Sequence, residues 1–173
     1  MIYLGTAGWS LPRAEQARFP EAPSHLARYA RVFPAVEINS TFHRPHREST
    51  FARWAQSVPP AFRFSVKLPR TITHDRKLVG ALDPLDEFLA SLAPLEGRVG
   101  CLLVQLPPSL QFEGRAASAF LSALRRRFDG GIAVEPRHAT WFTPAAAAPA
   151  DDGTGLARQL ARKAVVALRA AVR

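Results

Sequence analysis

The chain has 173 residues, 47% apolar and 21% charged, which allows one domain with a substantial core. Its single cysteine, Cys101, excludes an internal disulfide framework, and no apolar run approaches the ~18 residues of a membrane helix. The formal charge of +9 has two readings: attraction to nucleic acid or another polyanion, or dispersed arginine from an Ala- and Pro-rich composition typical of a GC-rich genome.

The segment Ile2–Thr6 reads as a strand, without the basic region and long apolar stretch of a signal peptide. A cytoplasmic address is the expectation. Ser24 caps a helix running to about Phe33, with Leu26, Tyr29, Ala30 and Phe33 at helical spacing. Ala35–Ser40 is a second strand. Glu48–Val58 is a helix stopped by Pro59-Pro60. Phe62–Leu68 is a third strand. A helix opens at Asp83 with Pro84 at its first position, and Leu85, Phe88, Leu89 and Leu92 form its apolar face. Val99–Leu106 is a fourth strand, stopped by Pro107-Pro108. Arg115–Phe128 is a helix ending in Arg125-Arg126-Arg127, where cations favour the helix dipole. Gly130-Gly131 leads into a fifth strand, Ile132–Glu135. Cys101 is placed mid-strand on the face of Val99 and Leu103, as a buried structural thiol.

Alternating strands and helices imply a parallel sheet, because parallel neighbours need crossover connections. Residue parity adds a second argument. Phe62, Phe64, Val66 and Leu68 share one strand face, while Arg63, Ser65 and Lys67 share the other. Val36 and Ile38 likewise oppose Glu37 and Asn39. One apolar and one polar face suit a barrel with helices outside and polar groups near its mouth, rather than a doubly wound sheet. Beyond residue 143 the pattern breaks: residues 144–154 read as an Ala/Pro/Gly linker and 155–173 as an Ala/Arg-rich helix.

Several runs together resemble a known family. Gly5-Thr6-Ala7-Gly8-Trp9, Val36-Glu37-Ile38-Asn39-Ser40-Thr41-Phe42 and Phe62-Arg63-Phe64-Ser65-Val66-Lys67 are three of them. Gln105-Leu106-Pro107-Pro108-Ser109 and Val134-Glu135-Pro136-Arg137-His138, followed by Trp141-Phe142, complete the set. They are similar to the YecE-like family, domain of unknown function 72. The resemblance implies a TIM-type barrel and no established reaction. His43 stands where that family typically has tyrosine. A complete barrel typically needs ~250 residues. The fold class expected is therefore α/β, an incomplete TIM-type barrel of about five β/α units plus a C-terminal helix, with the chain truncated or rearranged after about Phe142.

The candidate site is the carboxyl rim of the strands, where such folds carry their chemistry. Glu37 and Glu135 are candidate catalytic carboxylates or ligands of a divalent metal. The alternative is that each balances a cation such as Lys67 or Arg137 as scaffolding. Lys67 and His138 complete the catalytic candidates, and Lys67 and Arg137 suit an anion such as phosphate. Asn39, Ser40 and Gln105 would orient a polar substrate or form an internal hydrogen-bond layer. His74 would bind substrate or simply hold a loop. Trp9 and Trp141 would stack on a sugar or base, or pack as core or lid. The leading expectation is an enzyme-like barrel binding a polar or anionic small molecule. Its rivals are a nucleic-acid-binding or nucleic-acid-processing barrel and a non-catalytic remnant. The oligomeric state is not legible.

Overall fold

The computed structural model describes residues 2–143 apart from position 96; the expected linker and C-terminal helix lie outside the described residues. Four strands, β1 (Ala35–Ile38), β2 (Arg63–Lys67), β3 (Val99–Gln105) and β4 (Gly131–Glu135), form one parallel sheet in the order β1-β2-β3-β4. The sheet is open among the described residues. Four helices alternate with the strands: α1 (His25–Tyr29), α2 (Glu48–Gln56), α3 (Leu82–Ser91) and α4 (Gly114–Arg127).

The expected N-terminal strand is reduced to one parallel bridge, Ala7 to Glu37. The Glu37 N–H donates to the Thr6 carbonyl and the Gly8 N–H to the Glu37 carbonyl, both at 2.9 Å. Pairing thus begins at Thr6 rather than Ile2, and Ile2 and Leu4 are exposed. The Tyr29 hydroxyl fastens this segment. It accepts from the Thr6 N–H at 2.8 Å and donates to the Ala35 carbonyl at 3.1 Å. Gly5 crosses directly over the Ala35 carbonyl, where a side chain has no room.

Helix ends differ from expectation for local reasons. Ser24 does cap α1, accepting from the Ala27 N–H at 3.1 Å. The α-helix ends at Tyr29 because the next turn tightens: Arg31 bonds Arg28 and Val32 bonds Tyr29. α3 begins at Leu82, which puts Pro84 third rather than first. Its missing N–H costs nothing there, since the first turn has no intrahelical acceptors. Glu113 caps α4, accepting from the N–H groups of Arg115 at 3.1 Å and Ala116 at 2.6 Å. The arginines that close α4 are used within the fold. Arg127 makes a two-pronged pair with Asp86 of α3 at 2.6 and 3.2 Å. Arg125 donates to the Gly130 carbonyl at 2.7 Å and so sets the turn into β4.

The core lies between the helices and one sheet face. Val36, Ile38, Phe64, Val66, Leu102 and Val104 pack there against helix residues such as Phe51, Leu85, Phe120 and Leu124. A bulge at Gly100 corrects the reading of β3. Phe64 pairs with Val99 but Ser65 with Cys101, so one extra residue enters the strand. Val99 therefore packs towards the helix-side core, while Cys101 and Leu103 share the opposite face.

Candidate functional site at the strand ends

The face away from the helices carries the polar residues. Register aligns Glu37 with Ser65, Cys101 and Gly131 in one row. Lys67, Leu103 and Ala133 form the next row, and Gln105 and Glu135 the row nearest the carboxyl ends. Glu37, Lys67 and Gln105 are buried, 5%, 6% and 4% exposed. Buried ionic and amide groups persist only with partners, and several partners are clear. Gln105 Nε2 donates to Glu135 Oε1 at 3.0 Å, and Arg137 Nη2 donates to the same oxygen at 3.3 Å. Glu135, Gln105 and Arg137 thus form one unit, and Glu37 stands on β1, at the other end of the four-stranded order.

Lys67 sits beside this unit on a seat the sequence reading missed. Its Nζ lies 4.0 Å from the centroid of the Phe42 ring, a cation–π contact. Phe42 is held by the single turn Ser40–Phe42 that follows β1. Thr41 anchors that turn, its hydroxyl lying 2.7 Å from the Lys67 carbonyl and 3.0 Å from that of Ile38. The discernible signal was positional: an aromatic just past one strand end, beside a lysine at the end of the next strand.

His74 joins from the π-helical turn Thr71–Asp75 after β2. Its ring meets Phe42 edge-on at 4.8 Å, and its Nδ1 is 2.9 Å from the Thr73 hydroxyl. Burial first, then the charges of Lys67, Arg70 and Arg137, hold its pKa below the ordinary imidazole value, with Asp75 opposing. Arg70, also unanticipated, pairs with Asp75 at 3.0 Å. His46 is likewise lowered, by burial and then by Arg44. For both imidazoles the folded state binds fewer protons than the unfolded state. Their contribution to stability is therefore present above the unfolded value near 6.5 and lost as pH falls from there through the lowered folded values.

The remaining candidates have internal tasks. His138 caps the turn Ala139–Phe142, accepting from the Thr140 N–H at 3.2 Å. Trp141 donates its indole N–H to the Leu110 carbonyl at 2.9 Å and packs edge-on against Phe112. Trp9 packs edge-on against Trp54 of α2 at 5.0 Å. Ser40 Oγ lies 2.8 Å from His46 Nε2. Asn39 precedes the same turn, half-buried, with Oδ1 lacking a hydrogen-bond partner among the described residues. No group of three or more His, Cys, Asp or Glu side chains suited to a metal occurs among the described residues.

Cys101 is buried, and burial pushes its thiol up to about 11. Roughly a thousandth of the thiol is ionised at pH 8 on that value. Native protein is therefore expected to resist iodoacetamide at pH 8 and to react promptly in denaturant, as read by intact mass. Rapid labelling of native protein would contradict this burial.

A parallel sheet with a one-sided helix core and ionisable groups at its strand ends defines an α/β protein with a potential rim site. The chain belongs to the DUF72 family, described as "Protein of unknown function DUF72", whose family model matches residues 3–166. It is 35% identical over 145 residues to UPF0759 protein YecE of Escherichia coli K12, covering 82% of this chain and 50% of that protein. It is 25% identical over 150 residues to UPF0759 protein YunF of Bacillus subtilis, covering 83% and 53%. The chain thus spans about half the length of these curated relatives. Among solved structures, a DUF72 family protein from Enterococcus faecalis aligns with a TM-score of 0.67 at 27% identity, over 84% of this chain and 54% of that one. Another from Thermotoga maritima aligns with a TM-score of 0.65 at 30% identity, over 84% and 59%. Among the described residues no helix is long and apolar enough to cross a membrane.

Proposed function

We propose that the strand ends bind an anionic small molecule, such as a phosphate ester, in the manner of a TIM-type barrel enzyme. The observation that carries this reading is that Lys67 and His74 both lie against the Phe42 ring, at 4.0 and 4.8 Å, with Arg70 immediately before the turn that carries His74. Arg70 and Arg137 each pair with one carboxylate, Asp75 or Glu135, and keep further N–H donors for a ligand. His74, neutral at pH 7, is a base or hydrogen-bond partner rather than a fourth cation. The barrel reading is supported by the row pattern of the sheet, its one-sided helix core, and the parallel bridge of Ala7 beside β1. A bound metal is not needed for this reading. A nucleic-acid role is the weaker alternative, because Trp9, Trp141, Arg125 and Arg127 all have partners within the fold.

The test is an NMR titration of the imidazoles at low ionic strength. Without ligand, His74 and His46 are both expected to titrate below 6.5. Inorganic phosphate should raise the His74 midpoint, because a bound anion favours the imidazolium, and should leave His46 unchanged. A His74 midpoint indifferent to phosphate in the millimolar range would sink the anion reading.

A further inference from the structure

Next to the strand-end cluster lies a cleft of about 310 Å³ between the segment Thr41–His46, the Pro69–Thr71 turn and α3. Rings dominate its lining: Phe42, Phe51 and Phe88, with Pro45, Pro69 and Pro84. Arg44 and Arg70 also line it, opposed by one carboxylate, Glu87. Two residues belong to both the cleft and the rim. Phe42 lines the cleft and also seats Lys67. Arg70 lines it and also acts on His74.

We propose that the cleft and the rim together bind one ligand, a phosphate monoester of a flat aromatic group, with the ring in the cleft and the phosphate against Lys67, Arg70 and His74. This rests on the anion reading above and adds to it the class of the ligand's body. The cleft volume suits a one- or two-ring group and falls at the small end of known ligand pockets. Aromatic walls favour a flat partner that meets their rings edge-on or offset. Cations and carboxylates are equal in number across cleft and rim, so the anion is held by the local N–H donors of Lys67 and Arg70 rather than by net charge.

Isothermal titration with inorganic phosphate, 1-naphthyl phosphate and 1-naphthol separates the possibilities. Naphthyl phosphate should bind about ten- to thirtyfold more tightly than inorganic phosphate, from apolar area removed from water. It should also bind more tightly than naphthol. Backbone amide signals of Phe88 and Ser91 should shift with naphthyl phosphate and stay in place with inorganic phosphate. A Ser91→Phe variant, which fills the cleft from α3, should bring the ratio of the two phosphate affinities close to one. If that variant does not fold, the amide map of the unaltered protein decides. Equal affinity for both phosphates, or a ring whose shifts fall elsewhere, overturns the aromatic assignment and leaves the rim reading intact. Absence of binding by either phosphate overturns both.

Discussion

Replacing Lys67 by methionine is expected to weaken inorganic phosphate binding by about tenfold to a hundredfold, the effect of losing one charge-assisted hydrogen bond. Methionine preserves most of the stem volume and would set its sulfur against the Phe42 ring in place of the ammonium. The substitution therefore removes the charge with little loss of packing. Arg137→Gln should cost less. Its side chain is 42% exposed and already paired with Glu135, so solvent and salt screen its field. Calorimetry at two salt concentrations, with a melt of each variant as control, checks both. Unchanged affinity in folded Lys67→Met protein would remove the ammonium from the site and with it the main argument for anion binding.

Gly5→Ala should destabilise the protein by ~3 kcal/mol, a large effect for one methyl group. The added Cβ would lie only 2.7 Å from the Ala35 carbonyl carbon and closer still to its oxygen. Both are backbone atoms of β1, so no rotamer change relieves the collision. Either the segment Thr6–Gly8 lifts from Glu37, or β1 moves against the helix-side core. Gly8→Ala is the informative contrast. Nothing stands within 4 Å of its Cβ, and its cost comes only from φ of +82°. That should amount to ~1 kcal/mol. Urea midpoints of the two variants measure the difference, and equal midpoints would show that the N-terminal segment does not press on β1.

Most of the α/β order was legible from local pattern. Pro59-Pro60 and Pro107-Pro108 cannot continue a helix or strand, and they bound α2 and β3 as expected. Strict alternation in Arg63–Lys67 announced which residues face the core. In Val99–Leu106 that signal was absent. An almost wholly apolar run has no parity, so the bulge at Gly100 and the reversal of Val99 left no trace in it. The first strand was expected too early because Ile2 and Leu4 look like core residues, while pairing is set by the Tyr29 hydroxyl and the contact at Gly5.

The candidate site divides in the same way. The sequence by itself determined the family, the alternation of elements, and that Glu37, Lys67, Gln105 and Glu135 share a sheet face, because side-chain direction in a strand follows from its two-residue period. Only the tertiary structure decided which of these polar groups meet. It brought Glu135 to Gln105 and Arg137, seated Lys67 on Phe42, and engaged His138, Trp9 and Trp141 in local packing or caps. A residue's type states what it is able to bond. Its partner is set by strand register and by loops that bring distant segments within about 3 Å, and neither is written in any local stretch of the chain.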